Sequence, residues 1–108
     1  MKLVTRWKAT RFGIFQRRTE HELYCRVELS EREQAAYPGS GVADELVCEY
    51  RSRGLPMDTR LSSLVAGETR FGSEDKAYLE DIEKNVSASV DRLTAKLQEF
   101  MASNEASE

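Results

Sequence analysis

Residues 73–101 read SEDKAYLEDIEKNVSASVDRLTAKLQEFM, and this stretch decides the fold. Its apolar side chains recur at steps of three and four residues: Leu79, Ile82, Val86, Val90, Leu93 and Leu97. These steps average about 3.6 residues, the period of a straight α-helix, whereas a long coiled coil needs about 3.5. The pattern therefore predicts one long amphipathic helix that packs along the rest of the domain.

The length and composition of the chain limit its domain organisation. A chain of 108 residues can form one domain with a modest core. Charged residues make up 32% of the sequence, above the quarter or so that is usual, so the surface should be large relative to the core. We assign residues 1–101 to a single domain and expect the small, polar residues 102–108 to form a frayed tail.

Two segments near the start alternate between apolar and polar residues, as half-buried strands do. Residues 3–12 place Trp7 on one face, and residues 20–29 place Leu23, Cys25 and other apolar side chains on one face. Gly13 ends the first strand, and residues 13–19 should form the turn of an antiparallel hairpin. The sequence therefore predicts a β-hairpin with one buried face.

Charge along the chain is arranged in blocks. Residues 1–18 hold six basic and no acidic side chains, whereas residues 19–50 hold two basic and eight acidic ones. If Trp7 and Leu23 share a face of the hairpin, one register sets Lys8 opposite Glu22, and another sets Arg6 there. Basic residues face acidic residues in both registers, so cross-strand pairing is the simplest interpretation of the blocks.

The middle of the chain predicts several short elements. Ser30 and Glu33 match a capping box, which should open a helix that runs to residue 37. Residues 38–41 (PGSG) should form a flexible loop. Residues 42–53 fit either a helix or a strand, and their β-forming residues favour a strand over residues 45–51.

The segments before the long helix predict only short structure. Residues 55–59 should be a connection, and residues 60–66 should form one or two helical turns, capped by Asp58 or Thr59 and ended by Gly67. Residues 68–71 should form a short edge strand, and Ser73 should cap the long helix. These elements indicate an α+β fold, in which a small, mainly antiparallel sheet of three to four strands packs against the C-terminal helix.

The sequence indicates no catalytic, cofactor-binding or metal site. His21 is the single histidine, and along a strand it would lie about 13 Å from Cys25, too far to share a metal ion. The Gly-x-Ser-x-Gly, P-loop and dinucleotide-binding patterns are absent. We therefore expect the protein not to be an enzyme. Whether Cys25 and Cys48 form a disulfide is left open.

The start of the sequence predicts a cytoplasmic location. Residues 1–8 carry charges where a secretory signal needs an unbroken apolar run, and the sequence contains no apolar segment as long as a membrane span. A net charge of −3 gives no general attraction to nucleic acids or anionic membranes. We therefore expect no membrane association.

The tip of the predicted hairpin is the best candidate for a nucleic-acid contact, because cations and aromatic side chains can share an exposed face there. The candidate residues are Arg11, Phe15, Arg17 and Arg18. Trp7 is not one of them, because alternation places it on the other face of the strand from Arg6 and Lys8, which favours its burial. Nucleic-acid binding through this hairpin is the alternative to the function favoured below.

The length of the predicted helix suggests a protein–protein interface. Twenty-nine residues span about 43 Å, whereas a compact chain of this size is about 34 Å across. The distal turns should therefore extend past the sheet and expose apolar side chains, which often form interfaces. We expect a small protein-interaction or regulatory module that forms a homodimer, with these contact residues: Leu93, Leu97, Phe100 and Met101.

Overall fold

The longest element of the computed structural model is the C-terminal helix, against which antiparallel sheets of three and two strands pack. The structure describes residues 1–14 and 17–106. The elements in chain order are β1 (Lys2–Phe12), β2 (Arg18–Glu28), α1 (Glu31–Ala36), β3 (Leu46–Ser52), β4 (Leu55–Arg60), α2 (Leu61–Ala66), β5 (Thr69–Ser73) and α3 (Lys76–Ala106). The predicted α+β class is confirmed.

The larger sheet has the strand order β1-β2-β5, and all of its pairs are antiparallel. Trp7 lies opposite Leu23, and Lys8 lies opposite Glu22, so the first of the two registers considered above is the one observed. The core-facing side chains of β2 are buried, among them Leu23 and Cys25 with no exposed surface. The hairpin predicted from alternation is therefore confirmed, with one of the two registers that the sequence left open.

The apolar stripe of α3 forms one side of the core, as its period predicts. Its six members are at most 2% exposed: Leu79, Ile82, Val86, Val90, Leu93 and Leu97. The facing side is built from both sheets and α2, and the rings of Tyr50 and Phe71 meet edge to face with centroids 4.8 Å apart. Each buried leucine contributes about 2 kcal/mol through removal of apolar surface from water.

The distal part of α3 is covered, although the sequence suggested that it would extend past the sheet. The molecule is elongated, with extents of 67 × 24 × 18 Å and a radius of gyration of 16.6 Å, so the compact shape assumed from chain length was wrong. The α1 segment packs along this end of the helix. Arg32 pairs with Glu105, and the Phe100 ring approaches Gly39. Leu97 is consequently buried.

The β3–β4 hairpin corrects the prediction that residues 55–59 are only a connection. Its turn is Arg53-Gly54, and both residues have positive φ angles, of 54° and 80°. This is the arrangement of a type I′ turn, whose twist matches that of the flanking strands. Pro56 suggested a connection, but among the residues that the structure describes β4 pairs with β3 alone, and proline is tolerated in an edge strand. The strand favoured for residues 45–51 is confirmed as β3.

The helix ends differ in part from their predictions. The Ser30–Glu33 capping box of α1 is present, but the helix ends at Ala36 and not at residue 37. A 3₁₀ turn at Tyr37–Gly39 takes up the first half of the flexible loop expected at residues 38–41. Neither Asp58 nor Thr59 caps α2, whose N-cap is Arg60. Ser73 ends β5, and Asp75 caps α3 by accepting a hydrogen bond from the Tyr78 amide at 3.2 Å.

The C-terminal residues continue α3 further than the sequence suggested. The helix runs to Ala106, so most of the segment expected to fray is helical. Residues 107 and 108 lie outside the described part of the chain. The ion pair between Arg32 and Glu105 supports this last stretch of helix against α1.

Candidate interaction surfaces

The distal part of α3 offers less exposed surface than the sequence suggested. Leu93 and Leu97 have no exposed surface, so the expectation that Leu97 would be exposed in a monomer was wrong. Phe100 and Met101 are half-buried. Met101 borders a shallow cleft of about 300 Å³ between α3 and α1. Of the four residues proposed for an interface, Phe100 and Met101 are therefore the two that a partner could reach.

The β1–β2 hairpin projects beyond the rest of the sheet. Toward the tip of the hairpin, the pairing of β2 with β5 stops at His21, which lies opposite Ser73. The pairing of β1 with β2 continues beyond this point to Phe12 and Arg18. We call this projecting part the arm; it comprises residues 9–14 and 17–20. Phe12 is 43% exposed and Ile14 is 92% exposed. Little of the remaining molecule therefore covers the arm.

The basic side chains of the arm differ in their surroundings. Arg18 lies 4.0 Å from a carboxylate oxygen of Glu74. Arg11 and Arg17 are exposed, and neither forms an ion pair with an acidic side chain in the described part of the chain. Phe15, the fourth residue proposed for nucleic-acid contact, lies outside the described residues. Arg11 and Arg17 are thus the two candidates available to an anionic partner.

Two other cations of the three-stranded sheet, Arg6 and Arg70, bind acids on neighbouring segments. The Arg6 guanidinium lies 4.0 Å from the centre of the Tyr24 ring and donates two hydrogen bonds, of 2.8 and 2.9 Å, to Glu68. Arg70 donates to Glu22 at 2.8 Å. These hydrogen bonds hold the pKa values of the Glu68 and Glu22 carboxyls below their usual range. Pairing within the fold therefore accounts for Arg6 from the basic block of residues 1–18.

The long outer edge of β1 is open. Within residues 1–14 and 17–106, this strand of 11 residues pairs with β2 alone. An edge strand presents alternating N–H and C=O groups that another extended chain can pair with. Proline is absent from β1, and its pairing with β2 continues from Lys2 to Phe12 without a bulge. The edge is therefore regular enough to accept a further strand.

A groove runs beside this edge, between β1 and α3. Its volume is about 460 Å³, and its walls include Leu3 and Thr5 from the strand and Ser87, Ala88 and Asp91 from the helix. Ser87 and Ala88 are small, so the helix does not crowd the space beside the strand. A chain paired with β1 could place every second side chain in this groove.

Trp7 lies at one end of the groove, where the sequence predicted a buried tryptophan. It is on the same side of the sheet as Leu23, as expected, but it is 37% exposed. Its indole N–H donates to Glu83 at 3.1 Å, and the ammonium group of Lys76 lies 5.9 Å from the ring centre. Trp7 is partly exposed because its neighbours here are the charged side chains of Lys76, Glu80 and Glu83, near the start of α3.

Both cysteines lie in surroundings that favour the protonated thiol. Cys25 and Cys48 are both free thiols, and burial raises the pKa of Cys25 to about 12. A protonated, buried thiol is neither a good nucleophile nor a good metal ligand. Among the residues that the structure describes, His, Cys, Asp and Glu side chains form no group that could hold a metal ion.

Comparisons with other proteins do not indicate a function for these surfaces. Searches of protein-family models, curated proteins and solved structures find no match. In the described part of the chain, no helix combines the length and the apolar character needed to cross a membrane. Sequence reasoning found the strand β1 but not its open edge, because strand order depends on which distant segments pair.

Proposed function

We propose that this protein is a non-catalytic protein-interaction module that binds an extended segment of a partner along β1. The observation that carries this proposal is the open, regular edge of β1 beside the groove formed with α3. Strand addition at such an edge obtains affinity from main-chain hydrogen bonds and specificity from the pockets that receive alternate side chains. The edge offers the first of these features, and the groove offers the second.

The position of β1 on α3 favours a preformed site. Near one end of the groove the Thr94 hydroxyl lies 3.4 Å from the Met1 carbonyl oxygen, and near the other Trp7 donates to Glu83. These contacts connect the strand to the helix at both ends of the groove. A partner would therefore bind without first ordering the strand, which reduces the entropic cost of association.

A peptide selection with two matched variants tests this proposal. Ala88 and Asn85 are both exposed on α3, but only Ala88 lines the groove. Random peptides displayed on phage and selected on the native protein should bind Asn85→Arg but not Ala88→Arg, because the longer side chain fills the groove. The two variants carry the same added charge. Selected peptides that bind both variants equally would contradict the proposal, as would a selection that enriches no peptide.

A protein-interaction module could also associate with a second copy of itself through the end of α3. The support for this self-association is the half-buried Met101 beside the cleft with Ala35 and Ala36, together with the half-buried Phe100 near Gly39. Light scattering during size-exclusion chromatography tests it, because a dimer built on this cleft should dissociate in the Met101→Asp variant. A native protein that is monomeric over the whole concentration range would contradict this self-association.

Nucleic-acid binding by the arm is the alternative function. It is supported by exposed Phe12 and Ile14 next to Arg11 and Arg17, which form no ion pair in the described part of the chain. The double variant Arg11→Ala, Arg17→Ala should then lose affinity for a single-stranded oligonucleotide, and binding by the native protein should weaken steeply with salt. Equal binding by the native protein and the double variant would exclude the arm.

A further inference from the structure

We infer that the segment that binds β1 is acidic, with carboxylates at alternate positions, and that it is not a second copy of β1. This inference rests on the proposed function and adds the chemistry of the partner. It depends on the charges that β1 carries along its open edge and on the surroundings of each.

The outer face of β1 carries only cationic charge. On the side of the sheet away from the core, β1 carries Lys2, Val4, Arg6 and Lys8 at successive alternate positions, and β1 contains no acidic residue. Glu68 already binds Arg6 through two hydrogen bonds. The charges of the two lysines are therefore the ones to consider for a partner.

Lys2 and Lys8 are exposed, and neither forms an ion pair with an acid in the ranges that the structure describes. Lys8 lies opposite Glu22 in the sheet, but Arg70 binds that carboxylate at 2.8 Å. Lys2 lies opposite Glu28, whose carboxylate lies 2.7 Å from Arg26. The acids nearest in register thus bind other cations, and two ammonium groups remain available at the open edge.

A strand added beside β1 would place alternate side chains next to these ammonium groups. Directly opposed residues in neighbouring strands have Cβ atoms about 5 Å apart, within reach of an ion pair. The intervening side chains would enter the groove, where Ser87 and Ala88 leave room. The charged lining consists of the acids Glu83 and Asp91 and the cation Lys84, so its excess of negative charge disfavours further acids. The matching segment therefore alternates acidic residues with small or uncharged ones.

A second copy of β1 does not have this pattern. We consider antiparallel two-fold pairings that keep Leu3 and Thr5 on the helix side and are centred between residues 4 and 8. Each of them places a cation opposite a cation: Lys2 opposite Arg6 or Lys8, Arg6 opposite Lys8, or one of these residues opposite its own copy. Like charges directly opposite each other destabilise strand pairing. The edge is therefore protected from self-pairing while it remains suited to an acidic strand.

Defined peptides test this inference with Trp7 fluorescence as the readout, since Trp7 is the single tryptophan and lies at the end of the groove. Three octapeptides alternate threonine with glutamate, glutamine or lysine. The glutamate peptide should bind most tightly and the lysine peptide most weakly. Two exposed ion pairs should favour glutamate over glutamine by between about twofold and thirtyfold at low salt. The double variant Lys2→Gln, Lys8→Gln should lose this preference.

A fourth peptide tests the role of the main chain. Methylation of the backbone nitrogens that face β1 in the glutamate peptide should abolish binding, because it removes the hydrogen bonds of strand addition without changing the charge. Equal binding of the methylated peptide would show attraction by charge alone and would overturn strand addition.

The remaining outcomes separate this inference from the proposed function. Equal affinity for the glutamate and glutamine peptides would overturn the acidic partner but leave binding at β1 intact. A dimer that is lost in Ala88→Arg and retained in Asn85→Arg would identify a second copy as the occupant and overturn the inference. A single-stranded oligonucleotide that displaces the glutamate peptide and binds more tightly would assign the basic edge to nucleic acid. Failure of every peptide to bind, after an unsuccessful phage selection, would contradict the proposed function itself.

Discussion

Trp7 donates its indole N–H to the carboxylate of Glu83 at 3.1 Å, and this hydrogen bond joins the open edge strand to the first turns of α3. Its partners lie 76 residues apart in the chain. The contact keeps β1 against the helix at a point where the tryptophan is partly exposed. It therefore helps to define the end of the groove.

Loss of this hydrogen bond should weaken the domain moderately. Trp7→Phe retains an aromatic ring but has no donor, and Glu83→Ala removes the acceptor. Each variant should lower the free energy of unfolding by about 1 kcal/mol, and the double variant should lose less than the sum, because both changes remove the same interaction. Urea denaturation followed by circular dichroism measures this. Additive losses would show that the contact does not stabilise the fold.

Leu97 should behave as a core residue, not as an interface residue. Leu97→Ala should lower the free energy of unfolding by about 2–5 kcal/mol, because the side chain has no exposed surface and its removal leaves a cavity. Gln98→Ala, at the exposed neighbouring position, should change it by no more than about 0.5 kcal/mol. A stable, folded Leu97→Asp variant would contradict the burial of this part of α3.

Acid should weaken the three-stranded sheet through Glu22. Hydrogen bonds from Arg70 and Tyr24 lower the pKa of this carboxyl from its ordinary value of 4.5. The native state therefore binds its proton less readily than the unfolded state, so Glu22 stabilises the fold above the ordinary pKa, and this stabilisation is lost as the pH falls through the lowered value.

The measurement for Glu22 is the free energy of unfolding between about pH 6 and pH 3. The decrease toward acid should be smaller in Glu22→Gln than in the native protein, because the variant has no carboxyl at this position. Glu49→Gln is a suitable control, since Glu49 is exposed on β3 and forms no ion pair within the described residues. The same acid dependence in Glu22→Gln and the native protein would refute the role of this pair.

Neither cysteine should react readily in the folded protein. Burial raises the pKa values of both thiols, that of Cys25 to about 12, so almost no thiolate forms near neutral pH. A chromogenic thiol reagent at pH 8 should therefore modify the native protein slowly and should titrate both cysteines once denaturant is added. Rapid labelling of Cys25 without denaturant would show that the core around β2 opens.

The features predicted correctly depend on local patterns. The stripe from Leu79 to Leu97 follows from helical periodicity, and the Ser30–Glu33 box acts within a single turn. The alternation of the first two strands also limits their pairing to two registers, one of which is observed. Each of these features requires only the comparison of residues close together in the chain or joined by one turn.

The features that were missed depend on contacts between distant segments. Nothing local shows that the α1 segment covers Leu97, or that β5 pairs with β2 and leaves β1 open. The β4 strand was missed because Pro56 suggested a connection. The positive φ angles of Arg53 and Gly54 form the tight turn that joins β3 to β4, and the sequence did not indicate this turn. The candidate site could not be predicted for the same reason, since it lies between β1 and a helix from the other end of the chain.

Amide hydrogen exchange in β1 tests the central claim most directly. In the free protein, every second amide of this strand should exchange quickly, because it points to the open edge, whereas its neighbours are protected by β2. The alternating glutamate–threonine peptide should slow the fast set in the native protein and in Asn85→Arg, and should leave it unchanged in Ala88→Arg. Fast exchange that persists at saturating peptide, or protection confined to the arm or the end of α3, would contradict binding along β1.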